Sequence, residues 1–508
     1  MPKSPDPESR PERDALRDAT DMAAGATVNF LGTLARISKA GFVFFAARWY
    51  GTETLGLYFL AYGLADIVSK LALWGLDRSL IHSITRHDDP PARAGALRFH
   101  VQVGAGLSLV VAALLAGTAP LVAGRLFSNP ALTTPIRLAG LGLPFLVIGQ
   151  ILLAALRARR IMRYDAAIKG GLEPAVLLVL TLGLWPLKIG ATALMLAQVS
   201  AFATTAAAAW MAVKRVCGPA PLRGPRPGTQ ERRNILRFAA PLSLMDAMNM
   251  LIARVDLLLV GALMSSGAAG VYGILMEIVS SIKRVRQSFE PIFAPIVAEL
   301  YQRSDLRRLQ RGYALLTRWL LAGSALPLIV LMLFGHEILS IFQVREPRAF
   351  TALLILAVAQ AVYGVCSASE NLLVMSGHTG LNTGVTVSVV ALSGVAGFLL
   401  IPPLGIAGGA LATLAALTTA GLARVGLSRR HTGVRAAAGY LVWPLFSASV
   451  TLLVGFGLKG LITGPLKITV LVASIVLYCA LLLARANQPE ERHIVERIRN
   501  ALPFHAAR

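Results

Sequence analysis

Four polar residues interrupt an otherwise apolar stretch near the start of the chain. Asn29, Thr33 and Arg36 are spaced i, i+4, i+7, and Lys39 lies about a sixth of a turn further round, so one helix face would carry them all. An ionisable side chain at the centre of a membrane span costs ~2.5–3.5 kcal/mol on insertion scales, so such a face avoids lipid. It meets either a hydrated cavity or a charged partner. Arginine offers a planar fork of donors that matches a phosphate, and lysine adds a point charge. The chemistry open to this stripe is therefore the holding of a diphosphate. The alternative is pairing: Asp66 could neutralise Lys70 at i, i+4 or bridge to Arg36, both lying ~15 Å from the same end of their spans.

A second set of charges follows. Asp246 and Glu277 fall at similar depths in two later apolar stretches. Two neighbouring carboxylates cannot both ionise cheaply, so the pair would hold a proton or a cation; otherwise each pairs with its own basic group. Arg254 is a further candidate contact for a diphosphate, although it and Asp256 lie near the outer boundary and could snorkel there. Counted by halves, Arg36, Lys39 and Lys70 against Asp66 leave the first half cationic. Arg254 against Asp246, Asp256, Glu277 and Glu370 leaves the second half acidic.

Enzyme chemistry finds no purchase. No phosphate loop G-x-x-x-x-G-K-[ST], no H-E-x-x-H and no G-x-S-x-G occurs. His82, His87 and His100 are scattered around one loop and are expected to be solvated, while Cys217, Cys366 and Cys479 are isolated thiols. Neither a metal nor another cofactor is expected.

The elements that must position these charges are transmembrane helices. Of 508 residues, 55% are hydrophobic and 15% charged, and the mean hydropathy is +0.64. A hydrocarbon core of ~30 Å needs about 20 apolar residues per helix. On that measure fourteen spans are expected, at 25–47, 54–76, 99–122, 134–156, 166–186, 190–213, 238–262, 267–287, 313–334, 350–375, 380–401, 404–424, 436–458 and 466–484. Lys and Arg in alternate loops divide 35 to 8, which is expected to put both termini in the cytoplasm. The net charge of +23 sits in these loops, without the aromatic-interleaved basic domain that a nucleic-acid partner would need.

The organisation reads as a disordered tail at 1–24, a six-helix lobe at 25–213, a Pro/Gly/Arg-rich linker at 214–237, a second six-helix lobe at 238–424, two extra spans within 436–484 and an amphipathic tail at 485–508. Segments 295–311 and 489–503 are expected as helices lying in the membrane interface. Gly56-Leu-Tyr58 and Gly270-Val-Tyr272 open the second and eighth spans, at matching places in two parallel repeats.

The run Ala47-Arg-Trp-Tyr-Gly-Thr-Glu-Thr-Leu-Gly-Leu-Tyr-Phe-Leu-Ala61, continuing to Leu73-Trp-Gly-Leu-Asp-Arg-Ser-Leu80, resembles the opening of bacterial polysaccharide-biosynthesis flippases of the O-antigen type. Arg254-Val-Asp-Leu-Leu-Leu-Val-Gly261 with Ala269-Gly-Val-Tyr272 resembles that family's second-half segment. The family lies within the multidrug/oligosaccharidyl-lipid/polysaccharide exporter superfamily. The resemblance implies two six-helix lobes around a cavity, alternating access, and a polyprenyl-diphosphate-linked sugar chain as cargo. Organic-cation export, which the same superfamily includes, and a membrane glycan polymerase or transferase are the alternatives. Glycosyltransferases or a polymerase of the same pathway would be its protein partners.

Overall fold

The computed structural model describes residues 38–484 apart from 88, 160, 219–220, 304, 435–438 and 462–466. Among these residues every regular element is a helix. In chain order they are α1 (38–50), α2 (Thr52–Leu73), α3 (Leu76–Arg86), α4 (Pro90–Leu126), α5 (Pro130–Ala158), α6 (Met162–Leu187) and α7 (Ala191–Cys217). There follow α8 (Thr229–Leu263), α9 (Ser266–Gln302), α10 (Leu306–Ile341), α11 (Ala349–Met375), α12 (Thr379–Leu404), α13 (Ile406–Thr432), α14 (Gly439–Leu461) and α15 (Lys467–Ala484). The chain is a multi-pass membrane protein that forms two compact units, divided between Gly270 and Val271.

Eleven described helical spans are long and apolar enough to cross a membrane, so the expected fourteen are not reached. The other three expectations fall on α1, of which only 38–50 are described, and on α8 and α9. Those two are 35 and 37 residues long but carry charges along their length, among them Arg237, Asp246, Arg254 and Asp256 in α8.

In the first unit, the corner after α2 is made by two consecutive left-handed residues, Trp74 (φ 52°) and Gly75 (φ 65°). Glycine is needed at the second for a further reason: a Cβ there would lie 2.6 Å from the carbonyl oxygen of Ala239 in α8. The chain then restarts as α3, so much of the segment expected to be a loop at 77–98 is helical. Leu73, Leu76, Leu80, Ile151, Leu152 and Val213 pack α2, α3, α5 and α7 into one apolar core.

Helix α8 lies antiparallel along α2. Moving down α2, Leu60 packs on Gly261, Gly63 on Leu258, and Asp66 meets Arg254; below them the Lys70 carbonyl accepts from Ser243 Oγ at 3.0 Å. Where α9 begins, Gly56 and Gly270 make reciprocal contacts. A Cβ on Gly56 would stand 1.7 Å from the Ser266 oxygen, and one on Gly270 would stand 1.8 Å from the Thr52 oxygen. Without an aqueous hydrophobic drive in lipid, such small residues let backbones approach and gain dispersion contact.

The second unit centres on α10. Leu309, Tyr313, Leu316 and Leu320 pack on Ala368 and Leu372 of α11. Further along, Ile329, Leu333 and Phe334 pack with Val470 and Tyr478 of α15. The final two helices are also held by polar bonds: Tyr478 donates to the Ala322 carbonyl at 2.9 Å, and Lys459 and Lys467 both meet Glu337.

The paired G-x-Y motifs take matching bonds in each unit. Tyr58 of α2 donates to Gln198 Oε1 of α7 at 2.7 Å, and Tyr272 of α9 lies 3.4 Å from Thr413 Oγ1 of α13. Both tyrosines are buried. The expected interfacial helix at 295–311 is corrected. Residues 295–302 end α9 and 306–311 begin α10, with Asp305 capping the latter by accepting from the Arg308 amide at 3.1 Å. The segment 489–503 lies outside the described residues. His100 is fully buried, its ring bonding to the Ala96 carbonyl and Ser79 Oγ, because the restarted α3 brings Ser79 against α4.

Tyr58→Phe should cost about 1–3 kcal/mol in detergent thermal melts by stranding the Gln198 oxygen, and Tyr58→Phe with Gln198→Leu should regain most of it. Tyr272→Phe, with its longer bond, should cost less. Equal losses in all three variants would contradict the assignment.

Candidate functional site

The site begins with a charge problem in α8. Arg254 stands shortly before the apolar run 257–263 that ends its helix, and cannot be left alone in hydrocarbon. Antiparallel packing sets it beside Asp66, the acidic residue of the central part of α2. Arg254 Nη2 and Nε donate to Asp66 Oδ2 at 2.9 and 3.3 Å. The guanidinium also lies 5.3 Å from the centre of the Tyr62 ring, one turn earlier on α2. Tyr62 in turn stacks on Tyr58. The pair remains partly open, the Arg254 and Asp66 side chains being 24% and 14% exposed. Both of these bonds end on one carboxylate oxygen, and neither uses Nη1.

One ion pair closer to the expected cytoplasmic end repeats the arrangement. Arg78 of α3 donates to Asp246 of α8 at 2.7 Å, and beyond it His87 stands 2.9 Å from Glu231. Arg157 of α5 reaches Asp165 at 3.1 Å and Asp77 at 3.9 Å. Helix α8 is therefore joined to α2, α3 and the residue after α3 by a ladder of Arg254–Asp66, Ser243–Lys70, Arg78–Asp246 and His87–Glu231.

The charges singled out from the sequence divide among these contacts. Asn29 and Arg36 lie outside the described residues. Lys39 is exposed on α1, and its charge and that of Asp66 both act on Glu173 of α6, whose carboxylate accepts from Thr205 Oγ1 at 3.4 Å. Lys70 is half-buried, one helical turn from Asp66. Lys39, Lys70, Asp66 and Arg254 thus belong to one unit. Asp66 closes its ion pair with Arg254 and not with its i+4 neighbour, because α8 delivers a guanidinium to it directly. Arg254 does not snorkel outward with Asp256; the latter is buried and accepts from the Leu257 amide at 2.8 Å.

Asp246 and Glu277 fall in different compact units, and each has an arginine. Asp246 takes Arg78, while Glu277 lies 3.5 Å from Arg284, two turns along α9. The expected acidic second half is also altered by a residue that loop counting places in the cytoplasm. Helix α13 runs on to Thr432, so Arg424 lies inside it, 2% exposed and 3.3 Å from Glu370. The signal is present in the sequence: Arg424 follows Leu422-Ala423 without a turn residue, and the lone Gly426 beyond it does not break the helix before Gly433. Among the described residues no group of three or more His, Cys, Asp and Glu could hold a metal.

The comparisons with known proteins agree with this architecture. A family model described as "Polysaccharide biosynthesis protein" matches residues 45–342, more than half of the chain, and the chain belongs to that family. Among solved structures, the chain is similar to one titled "Lipid II flippase MurJ, inward closed conformation", with a TM-score of 0.74 and 11% identity over 91% of this chain and 98% of that one. A "multidrug resistance MATE family transporter of the MOP superfamily" in an inward-facing conformation gives 0.60 and 16%, covering 80% and 94%. The MATE multidrug transporter DinF-BH gives 0.59 and 16%, covering 80% and 96%. At these identities the likeness is one of fold. No curated protein matches the chain in sequence.

If Arg254 and Asp66 support one another, Asp66→Ala alone should lower stability by about 1–3 kcal/mol, and Asp66→Ala with Arg254→Leu should recover most of the loss. A double-mutant cycle read by thermal melts in detergent checks this. Strict additivity of the two single changes would contradict the pairing.

Proposed function

We propose that this member of the polysaccharide biosynthesis family is a flippase. Its cargo would be a polyprenyl-diphosphate-linked oligosaccharide, carried by alternating access from the inner to the outer leaflet of a bacterial inner membrane. The observation that carries the reading is the partly exposed Arg254 side chain, paired with Asp66 in the segment that matches the family. A diphosphate presents several anionic oxygens to a fork of donors. Arg254 would take one edge of it through Nη1, and Lys70 and Lys39 would add point charge from α2 and α1.

Arg36 and Asn29 would extend this cationic face along the first span. Asp66 has two parts in this scheme: it stabilises Arg254 in the empty protein and keeps the guanidinium oriented for the ligand. Asp246 and Glu277 are assigned as the groups that respond to a cation or proton during the cycle, each by exchanging its arginine partner. The cycle needs no covalent step, in keeping with transport and not with transferase chemistry. Glycosyltransferases and a polymerase of the same pathway would supply the cargo and consume it.

Deletion of the gene should abolish surface polysaccharide and cause the lipid-linked unit to accumulate on the cytoplasmic face. Drug hypersensitivity with unchanged polysaccharide would instead favour export of organic cations. Accumulation of single units already on the outer face would favour a polymerase.

A further inference from the structure

The second unit contains a guanidinium that the proposed transport chemistry does not use. The Arg424 side chain is 3% exposed and makes four separate polar contacts. Nε donates to Asn382 Oδ1 at 2.8 Å, Nη2 to Thr386 Oγ1 at 3.0 Å and Nη1 to the Tyr363 hydroxyl at 3.0 Å; Nη1 also lies 3.3 Å from Glu370 Oε2. These oxygens come from α11 and α12, and the arginine from α13.

The direction of each hydrogen bond matters more than the number. Tyr363 spends its own proton on Glu370 Oε2 at 3.1 Å, and Thr386 spends its proton on the Asn382 backbone carbonyl at 3.0 Å. Both hydroxyls therefore turn lone pairs toward Arg424. With the side-chain amide oxygen of Asn382 and the Glu370 carboxylate, the shell facing the guanidinium consists of acceptors alone. An acceptor-only shell with one formal negative charge selects a monovalent cation. The Tyr363 ring adds to this preference, since Arg424 and Arg286 lie 5.7 and 5.2 Å from its centroid.

We propose that Glu370, Tyr363, Asn382 and Thr386 form a monovalent-cation site whose permanent occupant is the tethered guanidinium of Arg424. The protein supplies from its own chain the cation that would otherwise have to be taken from solution, and α11, α12 and α13 stay joined through every step of a cycle. The assignment stands on this geometry alone and does not depend on the identity of the cargo.

The test is chemical rescue of Arg424→Ala in purified protein, followed by thermal denaturation in detergent. The variant should melt roughly 5 °C or more below the parent. Millimolar guanidinium chloride should restore much of that loss, while urea, a neutral molecule of the same shape, should not. The parent protein should be unaffected by either at these concentrations. An undiminished melting temperature in Arg424→Ala, no rescue by guanidinium, or equal rescue by urea would each overturn the proposal. If Arg424→Ala does not accumulate, Glu370→Gln keeps the shape of the shell and removes its charge. A comparable fall in melting temperature would support the cation site, and an unchanged one would overturn it.

Discussion

A charged side chain in a largely apolar helix is costly unless it meets water or a counter-charge, and between α8 and α2 the counter-charge is Asp66 for Arg254. In the observed register Arg254 Nη2 lies 2.9 Å from Asp66 Oδ2, so each charge has its partner. Sliding one helix by a single turn would separate the two by ~5.4 Å and strand both charges. Around that fixed point the other contacts fall into place: Leu60 on Gly261 to one side, Ser243 on the Lys70 carbonyl and Arg78 on Asp246 to the other. Backbone approach at Gly75 with its left-handed corner, and the room that Gly261 leaves for the Leu60 side chain, let the two helices come close enough for this register.

The two units answer the same constraint differently. In the first, the Arg254 pair is left partly open, and its guanidinium spends two donors on one oxygen. In the second, Arg424 is closed off and four oxygen atoms absorb its donors. Under the proposed function the partly exposed Arg254 would meet an anion from outside the protein. The enclosed Arg424 lacks that access and gives rigidity in its place. The G-x-Y tyrosines make comparable bonds in the two units, Tyr58 to Gln198 and Tyr272 to Thr413, while the ion pairs around them differ.

Much of this was legible in the sequence because membrane helices announce themselves by length and apolarity. The all-helical class and the presence of ionisable residues within largely apolar helices can be read from residue order. Partners cannot. The i, i+4 rule favours Lys70 for Asp66, since a rule of local spacing contains no information about a helix 188 residues away in sequence. Loop counting leaves Arg424 outside the membrane because hydropathy falls at its position, although α13 continues and the acceptors of α11 and α12 cover it. It leaves His100 in solvent for the same reason. The burial of that ring depends on α3 restarting after the Gly75 corner; the i, i+4, i+8 spacing of Leu76, Leu80 and Ile84 signals that helix, but a count of apolar spans passes over it.

The central claim is that Arg254, oriented by Asp66, holds the diphosphate of a lipid-linked cargo. It is tested most directly in liposomes containing the purified protein and a fluorescent polyprenyl-diphosphate saccharide, with movement between leaflets followed by quenching from one side. The account predicts protein-dependent movement of the diphosphate lipid, much slower movement of the monophosphate analogue, and loss of movement in Arg254→Ala protein that is folded and inserted as the parent is. Movement of the diphosphate lipid by Arg254→Ala at the parent rate would contradict it.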